Sequence, residues 1–151
     1  MENLFQAEVT QKYIDRINQL TPETQPKWGK MDVAQMLAHC SGPYEYVFEP
    51  EKFKPLKGPK AWLVKKLVKP IVVSSKPYKK NSATTPDFKQ KNPKDFEVEK
   101  KRLIDFLNRT VEKGEAYFDG KKSFSFGEMT KEEWNTMFVK HLDHHFEQFG
   151  I

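Results

Sequence analysis

Residues 130–150 read TKEEWNTMFVKHLDHHFEQFG, and this stretch predicts an amphipathic helix more clearly than any other part of the chain. Thr130 followed three residues later by Glu133 is the pattern of a capping box at the start of a helix. After this start, core-type residues recur at spacings of 4, 3, 4 and 3: Trp134, Phe138, His141, His145 and Gln148. This periodicity places two histidines on the face that packs against the protein core.

The spacing of the four histidines suggests a metal site. His141 and His145 are four residues apart, so their imidazoles project from one face of a helix and reach a common point. His39 is the only histidine outside the C-terminal run, and it alone completes a three-histidine set from another helix. Three protein ligands with open coordination positions are typical of a catalytic metal site. An all-nitrogen set suits zinc, nickel, iron or manganese.

Other interpretations of these residues stay open from the sequence alone. His144 forms an i, i+3 pair with His141, although Gln148 continues the stripe of the i, i+4 pair. The alternative to a metal site is that these histidines are hydrogen-bonded core residues. That is the commoner role of a single histidine on an apolar face. Two histidines in one buried stripe are costly without partners, which favours a shared ligand.

Neighbouring residues also have two interpretations each. Cys40 shares an apolar stripe with Met36 and Tyr44, which predicts a buried thiol; the alternative is a nucleophilic thiolate beside a metal. Asp143 and Glu147 either orient imidazole N–H groups or are exposed surface charges.

Three further helices are predicted. The first covers about residues 6–20, and the second begins at about residue 31 and bends or restarts at 42–43. The third begins after residue 93 and ends at about residue 113. Two prolines after Leu20 end the first helix, and Gly114 is a C-terminal signal for the third. With residues 130–150, these segments predict an all-α four-helix bundle in one domain, residues 1–151.

A lysine- and proline-rich insertion, about residues 50–93, forms the long crossover between the second and third helices. It holds seven of the ten prolines, and from Lys52 to Pro86 there are ten lysines and no acidic residue. Residues 61–69, AWLVKKLVK, predict a short amphipathic helix that ends at Pro70. Trp62, Leu63 and Leu67 are expected to face inwards, with Val64 and Val68 flanking them. The remainder predicts a surface excursion with solvated lysines, and the alternative role of the lysines is contact with an anionic partner.

Composition excludes several classes of protein. A single cysteine rules out an intramolecular disulfide and any multi-cysteine zinc site, and it fits a reducing compartment. The first residues lack the features of a signal peptide, and no stretch approaches the roughly 18 apolar residues of a membrane span. There is no nucleic-acid motif or Gly-rich phosphate loop, so no nucleic acid partner is expected. We therefore expect a cytoplasmic protein. We also expect alternating residues around FSF, 124–126, to form a short extended piece.

Two segments resemble the DinB/YfiT-like metalloenzyme superfamily: WGKMDVAQMLAHC, residues 28–40, and KHLDHHFEQFG, residues 140–150. The resemblance covers these motifs and the order of the helices, and residues 50–93 do not align. It implies a four-helix bundle with His39, His141 and His145 as ligands of a divalent metal, usually zinc or nickel. It also implies a homodimer.

The activity implied by the resemblance is transfer of a low-molecular-weight thiol to an electrophilic small-molecule substrate. Metal-dependent hydrolysis is an alternative chemistry for the same site. A non-catalytic module that contacts an anionic partner through the lysine-rich insertion is a different alternative. The sequence identifies no catalytic base.

Overall fold

The computed structural model describes residues 1–54, 56–82, 90 and 92–151, and this part of the chain is mostly helical. Its helices are α1 (Ala7–Asn18), α2 (Val33–Phe48), α3 (Gly58–Leu67), α4 (Lys69–Val72), α5 (Phe96–Lys113), α6 (Glu115–Phe118) and α7 (Lys131–Phe149). A 3₁₀ turn, Pro50–Lys52, follows α2, and a two-residue strand β1 (Lys122–Ser123) pairs antiparallel with β2 (Gly127–Glu128). The prediction of a mainly α-helical protein is confirmed.

Helix ends follow local sequence signals. α7 begins with the predicted capping box between Thr130 and Glu133. α2 begins with a second one, in which the Asp32 carboxylate accepts from the backbone N–H of Gln35 and the Gln35 side chain accepts from that of Asp32. These caps satisfy N–H groups that have no partner within the helix, and so they set where the two helices start.

The long helices share one hydrophobic core. α2 packs against both α5 and α7, and α1 packs against α5. The ring of Tyr44 on α2 stacks on that of Phe138 on α7, with centroids 4.4 Å apart. α1 also reaches α7, where Tyr13 and Arg16 both donate to Asp143, at 3.0 and 2.9 Å.

α2 runs as one helix through Pro43, where the sequence predicts a bend or restart. A proline inside a helix removes one backbone hydrogen bond and usually kinks or breaks the helix. Here its neighbours Cys40 and Tyr44 are fully buried in the core. Packing on both sides of the proline therefore offsets the local loss and keeps the helix continuous.

The predicted orientation of residues 61–69 is wrong. Trp62, Leu63 and Leu67 point outwards, with 49–60% of their surface exposed. Val64 and Val68, which were predicted to flank the inward stripe, are the residues that pack against the core. These valines are four residues apart and form a second apolar stripe on the same helical segment.

One other local prediction is corrected, and a second is made more specific. The chain continues as helix past Pro70, because this proline lies in the first turn of α4, where a missing N–H costs no hydrogen bond. The extended piece predicted around FSF corresponds to β1 and β2, which lie on either side of a turn formed by residues 124–126. Residues 83–89 and 91, at the end of the predicted surface excursion, lie outside the described residues. No helix in the described part of the chain has the length and apolar character needed to cross a membrane.

Candidate metal centre

α2 and α7 bring together the three histidines that the sequence singles out. His39, His141 and His145 each offer a ring nitrogen within 4.8 Å of those of the other two. The Nε2 atoms of His39 and His141 are 2.9 Å apart. The three ring centroids are 4.6 to 4.9 Å from one another. We call these three residues the histidine group.

The histidine group lies inside the protein. His39 and His145 are 4% and 7% exposed, and His141 is partly buried. The i, i+4 spacing on α7 brings two of the rings together, and the contact between α2 and α7 adds the third. Local helical spacing therefore forms the pair on α7, and tertiary packing completes the group with His39.

Gln148 determines the orientation of His145. The Oε1 atom of Gln148 lies 2.8 Å from Nδ1 of His145. An amide oxygen can only accept, so Nδ1 carries the proton and Nε2 keeps a free lone pair. The other end of the amide is also defined, because Nε2 of Gln148 donates to the backbone carbonyl of Trp28 at 2.7 Å. In metal sites generally, a hydrogen bond from the other ring N–H orients the imidazole so that its free lone pair points at the metal.

Gly29 allows this arrangement. Its φ of +87° lies in the left-handed region, which favours glycine. A Cβ atom at this position would lie 2.5 Å from Nε2 of Gln148. Any side chain here would therefore displace the amide that orients His145. Gly29 is not among the residues predicted from the sequence, although its place directly after Trp28 in the first motif was a visible signal.

Burial keeps the imidazoles neutral. Burial first, and then the proximity of His39, lower the pKa of His145 to about 3. The pKa of His141 is also well below its ordinary value, through burial first and then repulsion from His39, His145 and His144. Neutral imidazole is the form that binds metal ions, so these nitrogens are ready to act as ligands near neutral pH.

The group also has an unmet hydrogen-bonding need. Nδ1 of His141 is buried and has no hydrogen-bond partner among the described residues. A buried polar atom in this state costs free energy, so protein contacts alone do not satisfy the group. The group contains three nitrogen donors and no carboxylate, a set that suits a borderline transition metal better than calcium or magnesium. These residues can therefore bind a metal ion.

Neighbouring side chains have other contacts. His144 lies outside the group, with its ring 6.1 Å from that of Trp28 and 5.7 Å from that of Tyr78. Asp143 accepts from residues of α1 and makes no hydrogen bond to an imidazole of the described residues, and Glu147 is exposed. The prediction of a buried thiol is confirmed, since burial raises the pKa of Cys40 and its Sγ lies 3.6 Å from Sδ of Met36.

Part of the insertion packs beside the histidine group, a contact that the sequence did not predict. Lys140, next to His141, donates from Nζ to the backbone carbonyls of Ile71 and Ser74, the latter at 3.0 Å. Its ammonium also lies 4.2 Å from the centre of the Tyr78 ring. Residues 71–78 are therefore fastened to the helix that carries two of the three histidines.

Comparison with known proteins identifies a family. No curated protein and no solved structure matches the chain. The model of a family described as "Protein of unknown function (DUF1569)" matches residues 3–150. Because this match covers nearly the whole chain, the protein belongs to the DUF1569 family.

Proposed function

We propose that the protein is a metal-dependent enzyme that transfers a low-molecular-weight thiol to an electrophilic small molecule. In this proposal His39, His141 and His145 hold a divalent metal ion, zinc or nickel before iron or manganese. The observation that carries it is the meeting of three imidazole nitrogens from two helices inside the protein. Thiol transfer, as the reaction class, rests on the resemblance to DinB-like enzymes.

The same proposal includes the architecture. We infer that α1, α2, α5 and α7 form a four-helix bundle of the DinB-like kind. The order of the helices, the long connection before α5 and the placement of the histidines on α2 and α7 support this inference. The resemblance also implies a homodimer. Size-exclusion chromatography with light-scattering detection would measure the mass of the assembly.

The residues present would give the site its reactivity. A bound divalent ion lowers the pKa of a thiol or water molecule and so provides a nucleophile at neutral pH. The histidine group would hold the ion with neutral nitrogens, and Gln148 would keep the lone pair of His145 directed at it. During transfer, the thiolate sulfur bonds to the electrophilic carbon as the bond to the leaving group breaks. The thiol proton passes to solvent, since the group holds no carboxylate.

Metal content provides the first test. We expect about one ion per chain in protein purified without a polyhistidine tag, measured by elemental analysis. His141→Ala should lose the ion. His144→Ala is the matched control, because it removes a histidine from the same helix but outside the group, and it should keep the ion. Wild-type protein without metal in every preparation, or equal loss in both variants, would overturn the metal site.

Turnover provides the second test. Zinc- and nickel-loaded protein would be assayed with glutathione and with bacillithiol against an aryl halide, and conjugate formation followed by absorbance. We expect conjugation that His141→Ala abolishes and His144→Ala retains. Metal-loaded protein that hydrolyses nitrophenyl esters but conjugates neither thiol would instead favour the hydrolase alternative, in which water is the nucleophile.

The exposed face of the insertion supports a second candidate function. Trp62, Leu63, Leu67 and Ile71 are about half exposed or more, and the sequence segment that contains them has lysines but no acidic residue. Nζ of Lys66 lies 4.8 Å from the centre of the Trp62 ring. Exposed Trp and Leu beside lysines are typical of helices that bind anionic membrane surfaces. We propose binding to anionic lipid as the alternative, non-catalytic function.

Sedimentation with vesicles separates this candidate from the enzyme. The protein should sediment with phosphatidylglycerol vesicles at low salt and not with phosphatidylcholine vesicles. Leu67→Ser should weaken sedimentation, whereas the exposed control Val98→Ser on α5 should not. Equal sedimentation with both lipids, or with neither, contradicts it.

A further inference from the structure

A cavity of about 400 Å³ lies between α2, the α3 segment and the β1–β2 turn. One side of it is aromatic. The ring of Tyr46 is 4.5 Å from that of Phe53 and 5.5 Å from that of Phe124, and the last two rings are 6.0 Å apart. A cavity of this volume, lined mainly by apolar and aromatic groups, is typical of a site for a small organic molecule.

The charged residues that line this cavity are all lysines. Lys52, Lys54 and Lys60 line it, and no carboxylate of the described residues does. Lys52 is paired with Glu49 at 2.5 Å. Within the described residues, Lys54 and Lys60 make no ion pair. A cleft whose lining charges all have one sign concentrates ligands of the opposite sign.

A second cavity extends the first. It has a volume of about 450 Å³ and shares Leu56, Ser123, Phe124 and Ser125 with the first cavity. It adds Lys65 and Lys122 and, in the part of the chain that the structure describes, again no carboxylate. The charged residues that line the two cavities therefore have the same sign.

The first cavity lies beside the histidine group. Pro43, on its wall, is one helical turn after His39 on α2, and Met137 is one turn before His141 on α7. Four residues, slightly more than one turn, advance about 6 Å along a helix. A molecule in the cavity would therefore lie close to the proposed metal ion.

We infer that this cavity binds a small organic anion, with an aromatic or other apolar body against Tyr46, Phe53 and Phe124 and its anionic group at Lys54 and Lys60. That this anion is the electrophilic substrate rests on the proposed function. The binding itself does not, because none of these five side chains belongs to the histidine group. Carboxylates, sulfonates and phosphate esters share the required chemistry.

Two fluorescent probes with the same ring system test the inference. 8-Anilinonaphthalene-1-sulfonate carries an anionic group, and N-phenyl-1-naphthylamine does not. Each would be titrated into the full chain after metal removal. We expect about one sulfonate probe per chain, bound at least threefold more tightly than the neutral probe. Equal affinity for the two probes overturns the assignment of an anion site.

Variants locate the probe. Lys54→Gln and Lys60→Gln should each weaken binding of the sulfonate about three- to tenfold and leave the neutral probe unchanged. Lys57→Gln is the matched control, because this exposed lysine is in the same segment but does not line the cavity. Equal weakening by Lys54→Gln and Lys57→Gln would show general attraction and contradict the site.

Occlusion of the cavity provides an independent measurement. Ser125→Trp places a large side chain in it and should abolish binding of both probes, with the helical circular dichroism unchanged. If the variant does not fold, the lysine variants still decide the question. Leu67→Ser changes the exposed face and no residue that lines either cavity, so it should have no effect. Loss of binding in Leu67→Ser would place the dye on that face and overturn the inference.

The outcomes also separate this inference from the proposed function. His141→Ala should still bind the sulfonate probe, because His141 does not line the cavity. Probe binding without any bound metal in the wild type would overturn the enzyme and keep the anion site. Bound metal and thiol conjugation without selective probe binding would keep the enzyme and overturn the anion site.

Discussion

Nδ1 of His145 donates to Oε1 of Gln148 at 2.8 Å, and this one contact determines which nitrogen of His145 is free to bind an ion. The amide of Gln148 cannot rotate without also losing its hydrogen bond to the carbonyl of Trp28. The residue that follows Trp28 is a glycine with a positive φ. The loop before α2 therefore controls an imidazole on α7.

Replacement of Gln148 tests this control. Gln148→Leu removes the acceptor and should weaken zinc affinity about 10- to 100-fold, because the imidazole is no longer held in one tautomer and orientation. Gln148→Glu is the control that keeps an acceptor, and it should retain more of the affinity. Competition with a chromophoric chelator measures both. Unchanged affinity in Gln148→Leu would mean that the contact does not orient a ligand.

Gly29 should be intolerant of a side chain. In Gly29→Ala the new Cβ meets Nε2 of Gln148 at 2.5 Å, so both stability and zinc affinity should fall. Gly58→Ala is a matched control, since Gly58 also has a positive φ, +66°, but a Cβ there would have no described heavy atom within 4 Å. The control should show only the backbone strain, about 1–2 kcal/mol in urea denaturation. Equal effects of the two substitutions on zinc affinity would contradict the role of Gly29.

The metal-free protein should lose stability in mild acid. The folded pKa of His145 is about 3, below the roughly 6.5 of an unfolded histidine. Between about pH 6.5 and 3, His145 is protonated in the unfolded chain but neutral in the folded protein. The stability contributed by the neutral His145 is therefore complete above about pH 6.5 and is lost as the pH falls towards 3. The free energy of unfolding should fall by up to about 1.4 kcal/mol per pH unit for this residue.

Urea denaturation at a series of pH values between 7 and 5 measures this slope. His145→Gln should reduce the slope by about one proton, whereas replacing the exposed Lys76 by Gln should leave it unchanged. The pKa of His141 is lowered in the same direction, so part of the slope should remain in the variant. A stability that does not change across this range would contradict the buried, neutral state of the imidazoles.

Lys140 should hold the insertion against α7. Lys140→Met keeps the side-chain stem but loses the donation to the carbonyls of Ile71 and Ser74. Backbone hydrogen exchange in α4 should therefore become about three- to tenfold faster, while α5 is unaffected. Lys76→Met, at an exposed position in the same segment, should change neither. Exchange at the wild-type rate in Lys140→Met would exclude Lys140 as the anchor.

Local patterns predicted the long helices well. α2, α5 and α7 each start at a cap formed by residues three positions apart, and the cap of α7 was predicted from the sequence. The stripe on α7 placed His141 and His145 on one face for the same reason, since helical periodicity is a property of neighbouring residues. These features need no information from the rest of the chain.

The insertion shows where local patterns fail. Residues 61–69 carry two apolar stripes, and periodicity alone does not say which one is buried. The sequence predicted that Trp62, Leu63 and Leu67 face inwards. The core instead takes the flanking residues Val64 and Val68. That choice depends on the space that α7 and the β1–β2 turn leave open, a property of the assembled protein.

The sequence by itself determined the helical class, the helix caps and the shared face of His141 and His145, because all of these arise from residues within a few positions of one another. Tertiary structure decided that His39 meets that pair and that His144 does not, because α2 must pack against α7 to bring residues about a hundred positions apart into contact. It also decided that Gly29 borders Gln148, and that a lysine-lined aromatic cavity lies one turn from the histidine group. These contacts follow from how the faces of separate helices pack, which local periodicity does not specify.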